Sequence, residues 1–144
     1  DAAKDEMFYA EKGLGAYMND TRLRVSGRRT MIECIFATGV PFGGRPALPA
    51  TLQDLARLMP VCAGVRRWGS AALDLAYVAA GRYDGYWERG LNAWDVAAGV
   101  LLVKEAGGFF GPIREGQDPV ESGNLIAANA QIFEPFGKII RARD

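Results

Sequence analysis

Histidine is absent from all 144 residues. That excludes a serine–histidine–aspartate triad and a histidine-ligated zinc site. Any metal here must rest on oxygen donors, which points to Mg2+ or Ca2+. Cysteine is scarce. Cys34 and Cys62 stand in the apolar stretches IECIFA and MPVCAG, without CxxC spacing, and read as two reduced core residues rather than a disulfide. Charge of one sign is missing too. Seventeen Lys and Arg face 17 Asp and Glu, so no basic surface for general nucleic-acid binding is expected. No apolar run approaches the ~20 residues of a membrane span, and no stretch reads as a signal peptide. A cytoplasmic protein with no membrane contact is the expectation.

What is present is a large apolar fraction, 49% of residues, enough for one globular core. The chain opens without methionine, and Asp1 to Glu6 lead straight into MFYAEK; we expect a piece of a longer protein. Residues 7–12 and 16–25 have strand composition, with Asn19-Asp20 as a tight turn. MIECIFAT (31–38) predicts a buried strand, and GVPFGGRP (39–46) a loop. Leu52, Leu55, Ala56 and Met59 are spaced for an amphipathic helix over 49–59. Strand and helix then alternate: strands at 64–68, 83–88, 108–111 and 124–129, helices at 70–81, 94–106 and 131–143. A polar loop precedes the strand at 124. This rhythm predicts an α/β fold, a sheet with helices on both faces in a layered α-β-α sandwich. Residues 1–48 read as strands of a central or N-terminal sheet, and 49–144 as a C-terminal α/β domain.

Two acids frame the most apolar helix. Asp95 lies in its first turn, where a carboxylate caps free N–H groups and offsets the helix dipole. It also lies beside a strand's carboxyl end, where α/β sheets place ligands and where it could hold a divalent cation. Glu88 ends YDGYWE; with period-two alternation it shares a face with Asp84 and Tyr86. It is either an edge charge or an acceptor for a polyhydroxylated ligand. In WGSAALD, Gly69, Ser70 and Ala71 stand where strand becomes helix, as a serine cap or a backbone cradle for an anion or hydroxyl. Asp74, inside an apolar helix, is expected to hold a structural hydrogen-bond partner. Arg66 and Arg67 read as a surface pair in preference to an anion site.

Taken together these stretches resemble a known family. GSAALDLAYVAAGRYDGYWERGLNAWDVAAGVLLVKEAGG (69–108) is similar to the C-terminal signature of the inositol monophosphatases, in particular their bacterial branch. WDVAAGVLLVKEAGG matches that pattern almost letter for letter, and DEMFYAEKGLGAYMND, ATGVPF and GNLIAAN extend the likeness over the whole chain. The resemblance implies a Mg2+-dependent phosphomonoesterase acting on inositol monophosphate by in-line attack of a metal-bound water. It implies that Asp95 is a Mg2+ ligand and catalytic residue, that Glu88 contacts substrate hydroxyls, and that Gly69, Ser70 and Ala71 line the substrate pocket. Sugar, nucleotide or histidinol phosphates are alternative substrates. The family is usually dimeric, and some bacterial relatives act as RNA-associated proteins of the transcription machinery. The family's upstream Glu-Glu segment and Asp-Pro-(Ile/Leu)-Asp-Gly-Thr motif do not occur in this sequence. We therefore expect the C-terminal half of such an enzyme, inactive or nearly so by itself.

Overall fold

Five strands pair in the order β5-β4-β6-β8-β7. They are β4 (Ile35–Thr38), β5 (Gly64–Arg66), β6 (Gly85–Glu88), β7 (Phe109–Pro112) and β8 (Leu125–Ala128). The computed structural model describes residues 1–142. β4 runs parallel to both β5 and β6, while β8 is antiparallel to β6 and β7. A second, three-stranded antiparallel sheet holds β1 (Phe8–Glu11), β2 (Gly15–Met18) and β3 (Thr21–Arg22).

Alternation along the strands sends side chains into two cores. Tyr86, Leu125 and Ala127 pack toward α2 (Ala71–Ala79) and α3 (Ala93–Glu105), with Leu75, Val96 and Val103. Phe36, Trp87, Ile126 and Ala128 face the other way, against Leu58 of α1 (Leu48–Leu58) and Phe136 and Ile140 of α5 (Phe133–Arg141). The expected α-β-α layering is therefore present. The small sheet adds a layer, packed on the outer side of α3. Because one central sheet is covered on both faces, both residue sets of the inner strands β4, β6 and β8 are largely apolar. Among the described residues no helix is long and apolar enough to cross a membrane.

Several boundaries differ from expectation. The strand expected over 31–38 begins only at Ile35, because Met31–Glu33 forms a 3-10 turn closed by Cys34 N–H on the Met31 carbonyl at 2.9 Å. The strand expected over 64–68 ends at Arg66. The loop before β8 contains a short helix, α4 (Pro119–Ser122), whose Asp118 accepts from the N–H groups of Val120 and Glu121 at 2.8 and 2.9 Å. An Asp cap followed by Pro in the first turn is a helix-start signal. Pro135 sits inside the first turn of α5, where its missing N–H leaves nothing unpaired; residue 143 of that expected helix lies outside the described residues. Asp84 immediately precedes β6. Its buried carboxylate takes the Ile35 N–H at 2.8 Å, the Ser26 hydroxyl and the Arg28 guanidinium, tying the start of β4 to the start of β6.

Candidate active site

β4, β5 and β6 are mutually parallel, so their carboxyl ends open on one side of the sheet. The loop after β4 begins with Gly39, the turn after β5 contains Gly69, and β6 ends at Glu88. The N-termini of α2 and α3 follow from the same side. At α2, Gly69 adopts φ +92°, a left-handed conformation that glycine enters without a Cβ penalty. Ser70 then caps the helix, its Oγ accepting the Leu73 N–H at 3.4 Å. Gly69, Ser70 and Ala71 thus form a helix-start turn with backbone donors toward this edge.

Glu88 is half-buried and held on two sides. The Tyr86 hydroxyl donates to its Oε2, and the Gly39 backbone N–H favours its charged form. A Cβ on residue 39 would overlap the Glu88 carboxylate, so this acid occupies the space that glycine leaves. Burial pushes the Glu88 carboxyl above its ordinary range, and the nearby Asp95 charge adds to the rise; the Tyr86 hydrogen bond and Arg67 oppose it. Burial beside Glu88 also pushes the Tyr86 phenol up.

Asp95 lies in the first turn of α3, and its Oδ2 accepts the Asn92 N–H at 2.9 Å. One carboxylate oxygen thus caps the helix while Oδ1 stays available. Cap and cation donor are compatible roles for one side chain. Among the described residues, no group of three or more His, Cys, Asp or Glu is arranged to hold a metal ion. Asp95 fits as a single oxygen donor, and the rest of an octahedral Mg2+ shell is not supplied by its described neighbours.

Asp74 departs from expectation. It is 1% exposed, yet neither carboxylate oxygen has a hydrogen-bond partner among the described residues. Burial, with Glu88 adding, pushes its pKa up to about 7, against the lowering effect of Arg67. The folded state therefore binds more protons than the unfolded state between the ordinary value of 3.8 and about 7. Stability contributed by the neutral acid is lost as pH rises through that window. Asp74→Asn, which stays neutral, is expected to gain a few kcal/mol on the wild type between pH 4 and pH 8, because each tenfold change in proton affinity on folding is worth about 1.4 kcal/mol. Urea unfolding of both proteins across that range checks it; a pH-independent difference would contradict it.

Arg67 is exposed, as the sequence reading has it, and stands at this edge. Its guanidinium stands over Gly69, where a Cβ would meet Nη1 at 2.8 Å, and lies 5.4 Å from the Phe42 ring centre. Its charge reaches both Glu88 and Asp74. Arg66 instead donates to its own strand, at the Val65 carbonyl, 3.2 Å away. The signal that separates them is strand parity, which becomes readable once the end of β5 is known.

Fold and site together define a layered α/β protein of the sugar-phosphatase type, with acids and a helix start gathered at the carboxyl ends of parallel strands. The chain belongs to the inositol monophosphatase family, whose model matches residues 1–143. It is 49% identical over 139 residues to the inositol-1-monophosphatase of Mesorhizobium japonicum, covering 96% of this chain and 52% of that protein. It is 46% identical to the Nus factor SuhB of Pasteurella multocida, covering 93% of this chain and 50% of that one. The extragenic suppressor protein suhB from Bartonella henselae superposes with a TM-score of 0.91 at 46% identity, over 98% of this chain and 55% of that structure. The chain spans about half the length of the curated relatives it matches.

Proposed function

We propose that the protein carrying this chain is a Mg2+-dependent phosphomonoesterase that releases phosphate from inositol monophosphate, and that these residues form one side of its site. The observation that carries this is the convergence of Glu88, Asp95 and the α2 N-terminus at one sheet edge, in a chain whose relatives include an inositol-1-monophosphatase. Asp95 would donate Oδ1 to the cation. When bound, Mg2+ lowers the pKa of a water nucleophile and stabilises charge on the leaving oxygen. Glu88 accepts hydroxyls of the sugar alcohol, two at a time when ionised. Gly69, Ser70 and Ala71 offer backbone N–H groups, and the dipole of α2 favours a negatively charged group there. We take the working form to be a cytoplasmic homodimer, with the remaining metal donors outside this chain and the chain inactive alone. Another small phosphate ester, a sugar, nucleotide or histidinol phosphate, would meet the same residues.

Because burial and Asp95 raise the Glu88 carboxyl, hydroxyl recognition weakens as pH falls and Glu88 protonates. Substrate KM is expected to rise on the acid side before kcat changes. Phosphate release from inositol 1-phosphate by the full-length protein, with Mg2+ and with a chelator, tests the reading. Glu88→Gln should raise KM about tenfold or more, the worth of a hydrogen bond to a charged group. Turnover undiminished by chelation would overturn the metal assignment. A second reading rests on the relative named Nus factor SuhB: a protein of the transcription machinery or an RNA partner. No phosphate release, together with copurifying polymerase components, would favour it.

A further inference from the structure

Glu88 has two chain neighbours: Trp87, which pleating sends to the opposite face of β6, and Arg89, just past the strand's end. Both meet one carboxylate. Asp54 of α1 is 1% exposed, and its Oδ2 accepts the Trp87 indole N–H at 3.0 Å. Arg89 grips the same group as a fork, Nη1 on Oδ2 and Nη2 on Oδ1 at 3.2 Å. Arg89 also reaches the Ile140 carbonyl of α5 at 3.4 Å. The residues on either side of Glu88 are therefore pinned to a single buried acid.

Burial raises the Asp54 carboxyl even with Arg89 and Trp87 lowering it, so part of the desolvation cost stays uncompensated. An apolar pair of similar volume often seals such a contact as well or better. What an apolar pair lacks is direction. Hydrogen bonds to the Trp87 indole and the Arg89 guanidinium fix both side chains against α1, one on either side of Glu88 in the chain. α1 also follows directly on the loop that starts at Gly39, the residue beneath the Glu88 carboxylate.

We infer that Asp54 is a positioning residue for Glu88, holding its carboxylate over Gly39 in the orientation that receives the polyol. This rests on the reading of Glu88 as the acceptor of substrate hydroxyls. The inference concerns Glu88 alone; Asp95 is placed separately, by the capping turn of α3.

The test uses Asp54→Asn, which keeps the volume and removes the charge. The double variant Asp54→Leu/Arg89→Met guards against loss of the fold, since it replaces the buried pair by apolar atoms. The first readout is the Gly39 amide resonance in the 15N-labelled protein, with Glu88→Ala as the reference for a vacated position. Movement toward that reference in both variants, with the β8 amides unchanged, is expected. A Gly39 amide that stays in place in either folded variant overturns the inference. The second readout is kinetic: KM for inositol 1-phosphate rises about tenfold while kcat holds, the size of a hydrogen bond to a charged group, and Asp54→Glu recovers part of it. Loss of kcat and Tm in proportion, with KM unchanged, would mark Asp54 as merely structural and overturn the inference. If the wild type itself turns over no inositol 1-phosphate, the reading of Glu88 fails, and the Gly39 resonance still decides whether Asp54 sets its position.

Discussion

Gly39→Ala is expected to raise the KM of the full-length protein for inositol 1-phosphate by about two orders of magnitude, from a single added methyl group. The added Cβ would occupy the volume now filled by the Glu88 carboxylate. The backbone has little room to retreat. Thr38, next to it, is buried and donates its hydroxyl to the Trp87 carbonyl at 2.6 Å, closing β4 onto β6. The side chain of Glu88 must move instead, away from the Tyr86 hydroxyl and the Gly39 N–H. Hydrogen bonds to charged groups are worth about 1.5–3 kcal/mol each, so a displaced carboxylate that no longer receives one or two substrate hydroxyls accounts for the fold-change. Overpacking should also cost about 1–3 kcal/mol of stability. A Gly39→Ala/Glu88→Asp double variant separates the two effects. Its shorter side chain relieves the overlap and restores stability, but leaves the carboxylate short of the substrate. Steady-state kinetics and urea unfolding of the three proteins check this, and a single variant with wild-type KM would contradict it.

Asp95→Asn is expected to have the larger effect on rate and a small one on stability. Asparagine is nearly isosteric and can still accept the Asn92 N–H now bound at 2.9 Å, so the first turn of α3 keeps its cap within about 1 kcal/mol. What disappears is the negative charge that a divalent cation requires. Metal assistance of this kind contributes several kcal/mol to a transition state, at least about 100-fold in rate. The substitution therefore separates the two roles that the sequence leaves combined. With the cap retained, a cap alone predicts nearly unchanged Tm and intact turnover; a cation donor predicts nearly unchanged Tm and lost turnover. Removing the Asp95 charge also withdraws one of the influences that raise the Glu88 carboxyl, so the acid-side rise in KM should move to lower pH.

Chemistry is readable from the sequence where it acts locally. The apolar runs predict the central strands, Ser70 predicts its own cap, and the Trp94-Asp95 pair marks the start of α3. The layered fold follows from the order of strands and helices. Features that depend on distant residues are not readable in this way. Gly39 looks like one loop glycine among several, because its need for a missing Cβ comes from a side chain on another strand. Asp54 looks like a polar position on an amphipathic helix; its partners lie 33 and 35 residues away. A buried acid such as Asp74 usually finds a hydrogen bond; this one has none among the described residues, and burial raises its carboxyl. Arg67 is at the surface as read; what the sequence conceals is its place over Phe42 and near Glu88, which requires the loop after β4 to come back to the end of β5. The helix after Asp118 is a different case, since its Asp-Pro start is legible and the polar composition of the loop conceals it.

A Mg2+ titration of phosphate release from inositol 1-phosphate, run side by side on the full-length protein and its Asp95→Asn variant, tests the assignment of a phosphatase half-site most directly. The expected result is saturable Mg2+-dependent release in the wild type, and in the variant a higher Mg2+ requirement with a rate at least about 100-fold lower, at nearly unchanged Tm. Superimposable curves for the two proteins would contradict it.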